Sequence, residues 1–308
     1  MRKIIILFFP IALLTSCASL TKTQIETVNQ FGQTCSGFSA FPSKILTGLA
    51  EVRMVRGIYA ANSIDSADLH LQELNDIYGL NKNDNTQSLK LDITFQIIDQ
   101  YAQSLVLLSS DSYSTNLKDK AFTSGVGLDS LISIYKTIDK TSKINVGIGE
   151  AVGQLIILGG KQYIKHKQAK EIKKFVTQAD PLIDLMTKNL LEFLQGKHFI
   201  KSTGDSASLK YLIDYETIAL QRDYLSFLRQ NKASIDNEKE YLKLKSNIDA
   251  IKSLQMQAIG ATQCLRKAHS QLLVIIEKKK KLKERFVGLQ DLFGDVKQLY
   301  TTIGKLKF

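Results

Sequence analysis

The chain has 308 residues, 44% apolar and 23% charged, and a formal net charge of +11, which is the balance of a folded globular protein and not of a disordered one. Three prolines, three cysteines and no tryptophan argue against a turn-rich sandwich or barrel and exclude a disulfide-dense scaffold and a four-cysteine zinc site.

The N-terminus reads MRKIIILFFPIALLTSC. Arg2 and Lys3 precede an apolar run of 11 residues, from Ile4 to Leu14, too short to span a bilayer. Leu14, Thr15, Ser16 and Cys17 then supply an aliphatic residue, two small residues and a cysteine in that order. This arrangement resembles the lipobox of bacterial lipoproteins. The resemblance implies cleavage before Cys17, a diacylglycerol on its thiol and a fatty-acyl chain of the palmitate kind on the new N-terminus. Several chains anchor firmly, since each buried CH₂ contributes about 0.8 kcal/mol. Ala18 in the second mature position implies sorting to the outer membrane in preference to the inner one. The expected organisation is therefore a signal peptide over 1–16, a lipidated tether over 17–24 and one elongated helical domain over 25–308.

Helical spacing starts near Gln24 with Ile25, Val28 and Phe31 and continues through Ile45, Leu49, Val52, Val55 and Tyr59. Residues 37–43 predict an interruption, with Pro42 in the first turn of the next helix. Residues 66–78 predict a short helix ended by Gly79, and the polar stretch 81–85 a loop. Leu89, Ile93, Ile97, Tyr101 and Leu105 mark a strong helix over 86–109, and 116–138 another. The glycine-rich apolar stretch VGIGEAVGQLIILGG over 146–160 leads into a basic helix reaching about Val176. Pro181 is expected to open a new helix, and Asp205 or Ser206 to cap the one through Leu209, Leu212, Ala219 and Phe227. The last segment carries a loose three–four rhythm from Tyr241 to Ile275, slips at 278–281 and resumes from Leu282 to Ile303. That pattern predicts a long, coiled-coil-like helix with a stutter. The fold class is all-α: an elongated antiparallel bundle of six to eight helices.

Charge is uneven. Residues 62–112 carry eight acids and two bases. Lys161, Lys165, Lys167, Lys170, Lys173 and Lys174 form one basic cluster, and Lys278, Lys279, Lys280, Lys281, Lys283 and Arg285 form a second. Both are candidates for contact with an anionic surface such as lipid headgroups. Catalytic patterns are missing from the sequence. His70, His166, His198 and His269 make no metal-binding spacing. Gly159, Gly160 and Lys161 end a phosphate-loop pattern that requires glycine where Leu155 stands and a hydroxyl where Gln162 stands. Asp180 precedes Pro181 as a cap, not as an acid catalyst.

With Cys17 lipidated, Cys35 and Cys264 remain in an exported chain and are candidates for a disulfide. The expected function is that of a non-enzymatic, membrane-anchored envelope scaffold or protein-binding subunit, with an envelope protein as partner and no cofactor, metal or nucleic acid. The alternative is a membrane-active protein using 146–160, similar in outline to the cytolysin-A-type helical toxins.

Overall fold

The computed structural model describes residues 20–36, 38, 42–110, 115–138, 161–196, 208–277 and 287–303. Among them every extended element is a helix, and the chain is an all-α helical bundle. The helices are α1 (Lys22–Ser36), α2 (Pro42–Ala61), α3 (Ala67–Ser109), α4 (Thr115–Ile138), α5 (Lys161–Gln195), α6 (Leu209–Gln230), α7 (Ile235–Glu277) and α8 (Val287–Ile303). One contiguous apolar core draws on all eight, from Val28 and Ile45 through Leu105, Leu128 and Phe175 to Leu220, Leu265 and Leu292.

Local chemistry fixes the ends. Thr21 N donates to Gln24 Oε1 at 2.8 Å while Gln24 N donates to Thr21 Oγ1 at 3.2 Å, a reciprocal cap that starts α1. Pro42 opens α2, where its missing N–H costs nothing. Ser208, in extended conformation, accepts from Tyr211 N and caps α6. The cap expected at Asp205 or Ser206 is thus two or three residues further on. Asp236 and Glu238 lie in the first turn of α7, the favourable end of its dipole.

Three sequence expectations need correction. First, α3 is one helix of 43 residues, not a short helix, a loop and a second helix. Its weak middle is bracketed by packing, because Ile77 lies against Gly57 of α2 and Phe95 lies 5.1 Å from Phe38 just beyond α1. Second, α5 continues through Pro181. The carbonyl that proline leaves unpaired belongs to Thr177, which is exposed to water along with Pro181 itself. Third, the final segment is no single rod with a stutter: α8 runs antiparallel to α7. Lys267 pairs with Asp291 at 3.5 Å, and the earlier Gly260 and Cys264 both lie against the later Asp295.

The eight described helices form two sets of four. The helices α2, α3 and α4 begin 167–172 residues before α6, α7 and α8, and both α3 and α7 have 43 residues. In each set the first, second and fourth helices pack on the third. The sets meet where α2 lies parallel to α6, with α1 against α7 and α3 against α5. Tyr59 touches Phe227 at 5.2 Å between ring centroids, and Tyr101 OH lies 3.1 Å from His269 Nδ1. The members of both pairs are 168 positions apart. A residue touches its own counterpart only beside a two-fold axis, so these two contacts mark an approximate dyad running along the bundle.

Candidate functional site

The α2–α6 seam carries four charged residues where an apolar stripe would be expected. Arg53 and Arg56 lie on the face of α2 that includes Leu49, Val52 and Tyr59, and Glu216 and Asp223 on the face of α6 with Ile213, Leu220 and Phe227. All four are buried, Glu216 completely. Arg53 Nε donates to Glu216 Oε1 at 2.7 Å, and Arg56 Nε donates to Glu216 Oε2 at 2.8 Å. Arg56 Nη1 also donates to Asp223 Oδ2 at 2.5 Å, and Asp223 Oδ1 accepts from the half-exposed Arg222 at 2.7 Å. Burial alone would lower the Arg56 pKa, but the two carboxylates outweigh it and leave the guanidinium more firmly protonated than usual. Tyr215 covers the network from outside, its ring centroid 5.8 Å from the Arg56 guanidinium carbon. An aromatic group of Tyr59, Tyr224, Phe227 and Tyr241 closes its end, with Tyr224 stacked on Tyr241 at 4.4 Å.

Directly opposite this buried face, α6 is apolar where it should be polar. Tyr211 (41% exposed), Tyr215 (44%), Ile218 (70%) and Leu225 (49%) all lie outward. A surface helix of a bundle normally turns charged residues to water. On α2, Met54 and Ile58 are also exposed. Single exposed apolar residues need no explanation, but four along one helix face form a patch of the kind that binds another macromolecule. Tyrosine and arginine, here with Arg222 at the stripe's edge, are the residues most enriched at the energetic centres of protein interfaces. Sequence reasoning did not single out this stripe. Its signal is the seven-residue spacing of Tyr211, Ile218 and Leu225 beside the inner set Ile213, Leu220 and Phe227.

The start of α1 lies at the other end of the bundle. Gln24 Nε2 donates to Ile275 O at 2.8 Å, which fixes the start of α1 beside the end of α7. Gln168 Nε2 donates to Leu108 O at 2.8 Å and Ser110 O at 3.2 Å, which ties α5 to the end of α3. A cleft of about 810 Å³ lies there, lined by Leu20, Lys22, Asn29, Ser110 and Gln168 among others. Lys170 and Lys173 are exposed on the adjoining turns of α5, and Lys174 is half-buried. Of the rest of the first cluster, the side chains of Lys161, Lys165 and Lys167 lie outside the described residues. So do Cys17, the glycine-rich stretch 146–160, and the second cluster of Lys278, Lys279, Lys280, Lys281, Lys283 and Arg285, which follows Glu277 in sequence. No described helix is long and apolar enough to cross a membrane.

The expected Cys35–Cys264 bridge is not formed, because both thiols are free. Cys35 is fully buried, and burial pushes its pKa up. Cys264, on α7 beside the apolar seam, lies toward α8. Partial burial, with a hydrogen bond to Asp295, pushes it up to about 11. Neither thiol has the lowered pKa of a reactive cysteine.

Near the dyad, Tyr101 OH meets His269 Nδ1, and His269 Nε2 faces Asp180 Oδ1 at 3.3 Å. The Tyr101 hydroxyl can donate to Nδ1, and Nε2 is the ring nitrogen turned toward the carboxylate. Phe31 and Phe175 flank Tyr101, the second stacked at 5.3 Å. Tyr101 and His269 are buried, so this chain of polar groups works as core architecture. Among the described residues no cluster of three or more His, Cys, Asp or Glu could hold a metal ion. The hydrogen bond from His269 holds the Asp180 carboxyl below its ordinary range. A lowered carboxyl pKa contributes stability above the unfolded-state value of about 3.9, and that stability is lost as pH falls through the folded value. Asp180→Asn should therefore flatten the loss of stability between pH 5 and about pH 2. Urea midpoints at pH 6 and pH 3 check this, and an unchanged difference between them counts against the coupling.

No family model, curated protein or solved structure matches the chain.

Proposed function

We propose that the protein is a lipid-anchored scaffold of the bacterial envelope: a non-enzymatic subunit held to a membrane through Cys17 that docks another protein along the outer face of α6. The outward apolar stripe of α6, stiffened from beneath by a buried ion network, is the observation that carries this reading. A docking face gains affinity when its side chains are already fixed. Tyr215 is fixed by Arg56, and α6 by three charge-assisted bonds across its inner face. The exposed lysines of α5 near the tether support a membrane-facing role for that end. Each lysine close to an anionic surface contributes about 1 kcal/mol.

Two substitutions test the two halves of the proposal in cells. A photo-crosslinking amino acid at Ile218 should capture one discrete protein species, and the same probe at Phe293 on α8 should not. Crosslinking that is equal at both positions, or absent at Ile218, argues against a docking face on α6. Cys17→Ser should abolish lipid labelling and release the chain from membranes. Unchanged labelling and retention in that variant would refute the anchor.

A further inference from the structure

We propose that the partner seated on α6 is a second copy of this chain, packed parallel to the first about a two-fold axis. This rests on the docking reading above and names its partner. Two apolar seams run along α6, each with the seven-residue period of a helix that meets another helix lengthwise. The inner seam, Ile213, Leu220 and Phe227, is buried against the chain's own helices. The outer seam, Tyr211, Ile218 and Leu225, has the same period and is exposed. A helix at the surface of a single bundle needs only the first.

The flanks of the outer seam suit self-pairing. Asp214 lies on one side, and Tyr215 and Arg222 on the other. In a parallel pair related by a dyad, Ile218 meets Ile218 of the second copy at the axis. The Tyr215 hydroxyl of each copy then reaches the Asp214 carboxylate of the other, as donor to acceptor, beside the Lys210 that already pairs with that carboxylate at 2.5 Å. Arg222 falls beside Gln221 of the other copy, with its charge already engaged by Asp223 at 2.7 Å. No charged residue lies in the seam itself, so like charges do not meet on the axis. A parallel arrangement also leaves both tethers at the same end, where one membrane can hold them. An antiparallel arrangement would send them to opposite ends.

The seam is short. From Tyr211 to Leu225 it runs about 21 Å, two heptads. That is less surface than the roughly 800 Å² per partner typical of a stable complex. Association should therefore be weak in dilute solution and strong on a membrane, where tethering raises the effective concentration.

The test uses the full lipidated chain in membranes, in a Cys264→Ser background so that the remaining native thiol is the buried Cys35. Tyr211→Cys, Ile218→Cys and Leu225→Cys should each give at least about tenfold more thiol-crosslinked dimer than Phe293→Cys, also an exposed position. Adding Ile218→Asp to Tyr211→Cys should abolish the dimer. Since Ile218 is exposed, the helical circular dichroism should not change. Crosslinking between Tyr211→Cys and Leu225→Cys chains in place of the matched pairs would indicate antiparallel packing and overturn the proposal. Equal crosslinking through Phe293→Cys would overturn it as non-specific. If no self-crosslink forms but the Ile218 photo-probe captures a different protein, the second-copy inference fails and the docking face stands. If neither forms, both fail.

Discussion

Glu216→Ala should destabilise the fold by about 3–5 kcal/mol, a large fraction of the total stability of an ordinary domain. Glu216 is completely buried and accepts from both Arg53 and Arg56. Its removal leaves two guanidinium groups in the α2–α6 seam without the carboxylate that offsets their desolvation. Arg56 keeps Asp223. The urea midpoint, read at constant slope, measures the effect. A loss below about 1 kcal/mol would mean that the seam admits water and the network is not buried in solution. The same physics gives an opposite expectation for a coordinated change. Replacing Arg53 and Arg56 with Met together with Glu216→Leu should recover most of the stability, because the packed apolar seam then has only the Asp223 carboxylate to desolvate. Asp223 keeps Arg222 in that variant.

Gly32→Ala should destabilise the chain by about 1–3 kcal/mol, against the usual benefit of about 1 kcal/mol for alanine over glycine in a helix. A methyl group at Gly32 would stand 2.7 Å from the Ala102 carbonyl oxygen, 2.9 Å from Val106 Cγ2 and 3.1 Å from Val106 N. Two of those atoms belong to the α3 backbone, so a rotamer change cannot relieve the clash and α1 has to move off α3. Gly79, in the middle of α3, has no neighbour within 4 Å of an added methyl. Gly79→Ala should therefore stabilise by about 0.5–1 kcal/mol. The two variants differ in sign although both replace a helical glycine with alanine. Denaturation midpoints of the same sign for both would show that α1 does not approach α3 this closely.

Much of the helical architecture is legible in the sequence. The spacing of Leu128, Ile132 and Tyr135 marks α4, and that of Ile213, Leu220 and Phe227 marks α6. Punctuation by glycine, asparagine and proline is a weaker guide. Gly79 and the asparagines after it lower local helix propensity, yet α3 continues through that stretch, with contacts at Gly57 and Phe38 on either side of it. Pro181 lacks its N–H, yet both it and Thr177, whose carbonyl loses that partner, are exposed residues, and the helix goes on. The buried ion network is harder to foresee, because charged residues on helices are usually solvated. The clue lies in position: Arg53 and Arg56 fall in step with Leu49, Val52 and Tyr59, on the face where apolar residues belong. The repeat of four helices is invisible to residue identity, since its counterparts are pairs such as Tyr101 with His269 and Gly57 with Leu225. What the two sets share is a third helix of 43 residues, the spacing of three of their helices along the chain, and the packing of the others on that third helix.

The approximate dyad between α2 and α6 has a consequence for how charge can be arranged. In an assembly of two identical four-helix units, the two helices of this seam would carry the same residues, so a cationic helix would meet another cationic helix. Covalent continuity removes that restriction. One chain can make α2 the cationic partner and α6 the anionic one, and so give a symmetric architecture a polarity that identical subunits could never express across their axis. Arg53, Arg56, Glu216 and Asp223 use that freedom: they tell the two halves apart at the seam where the geometry makes them most alike.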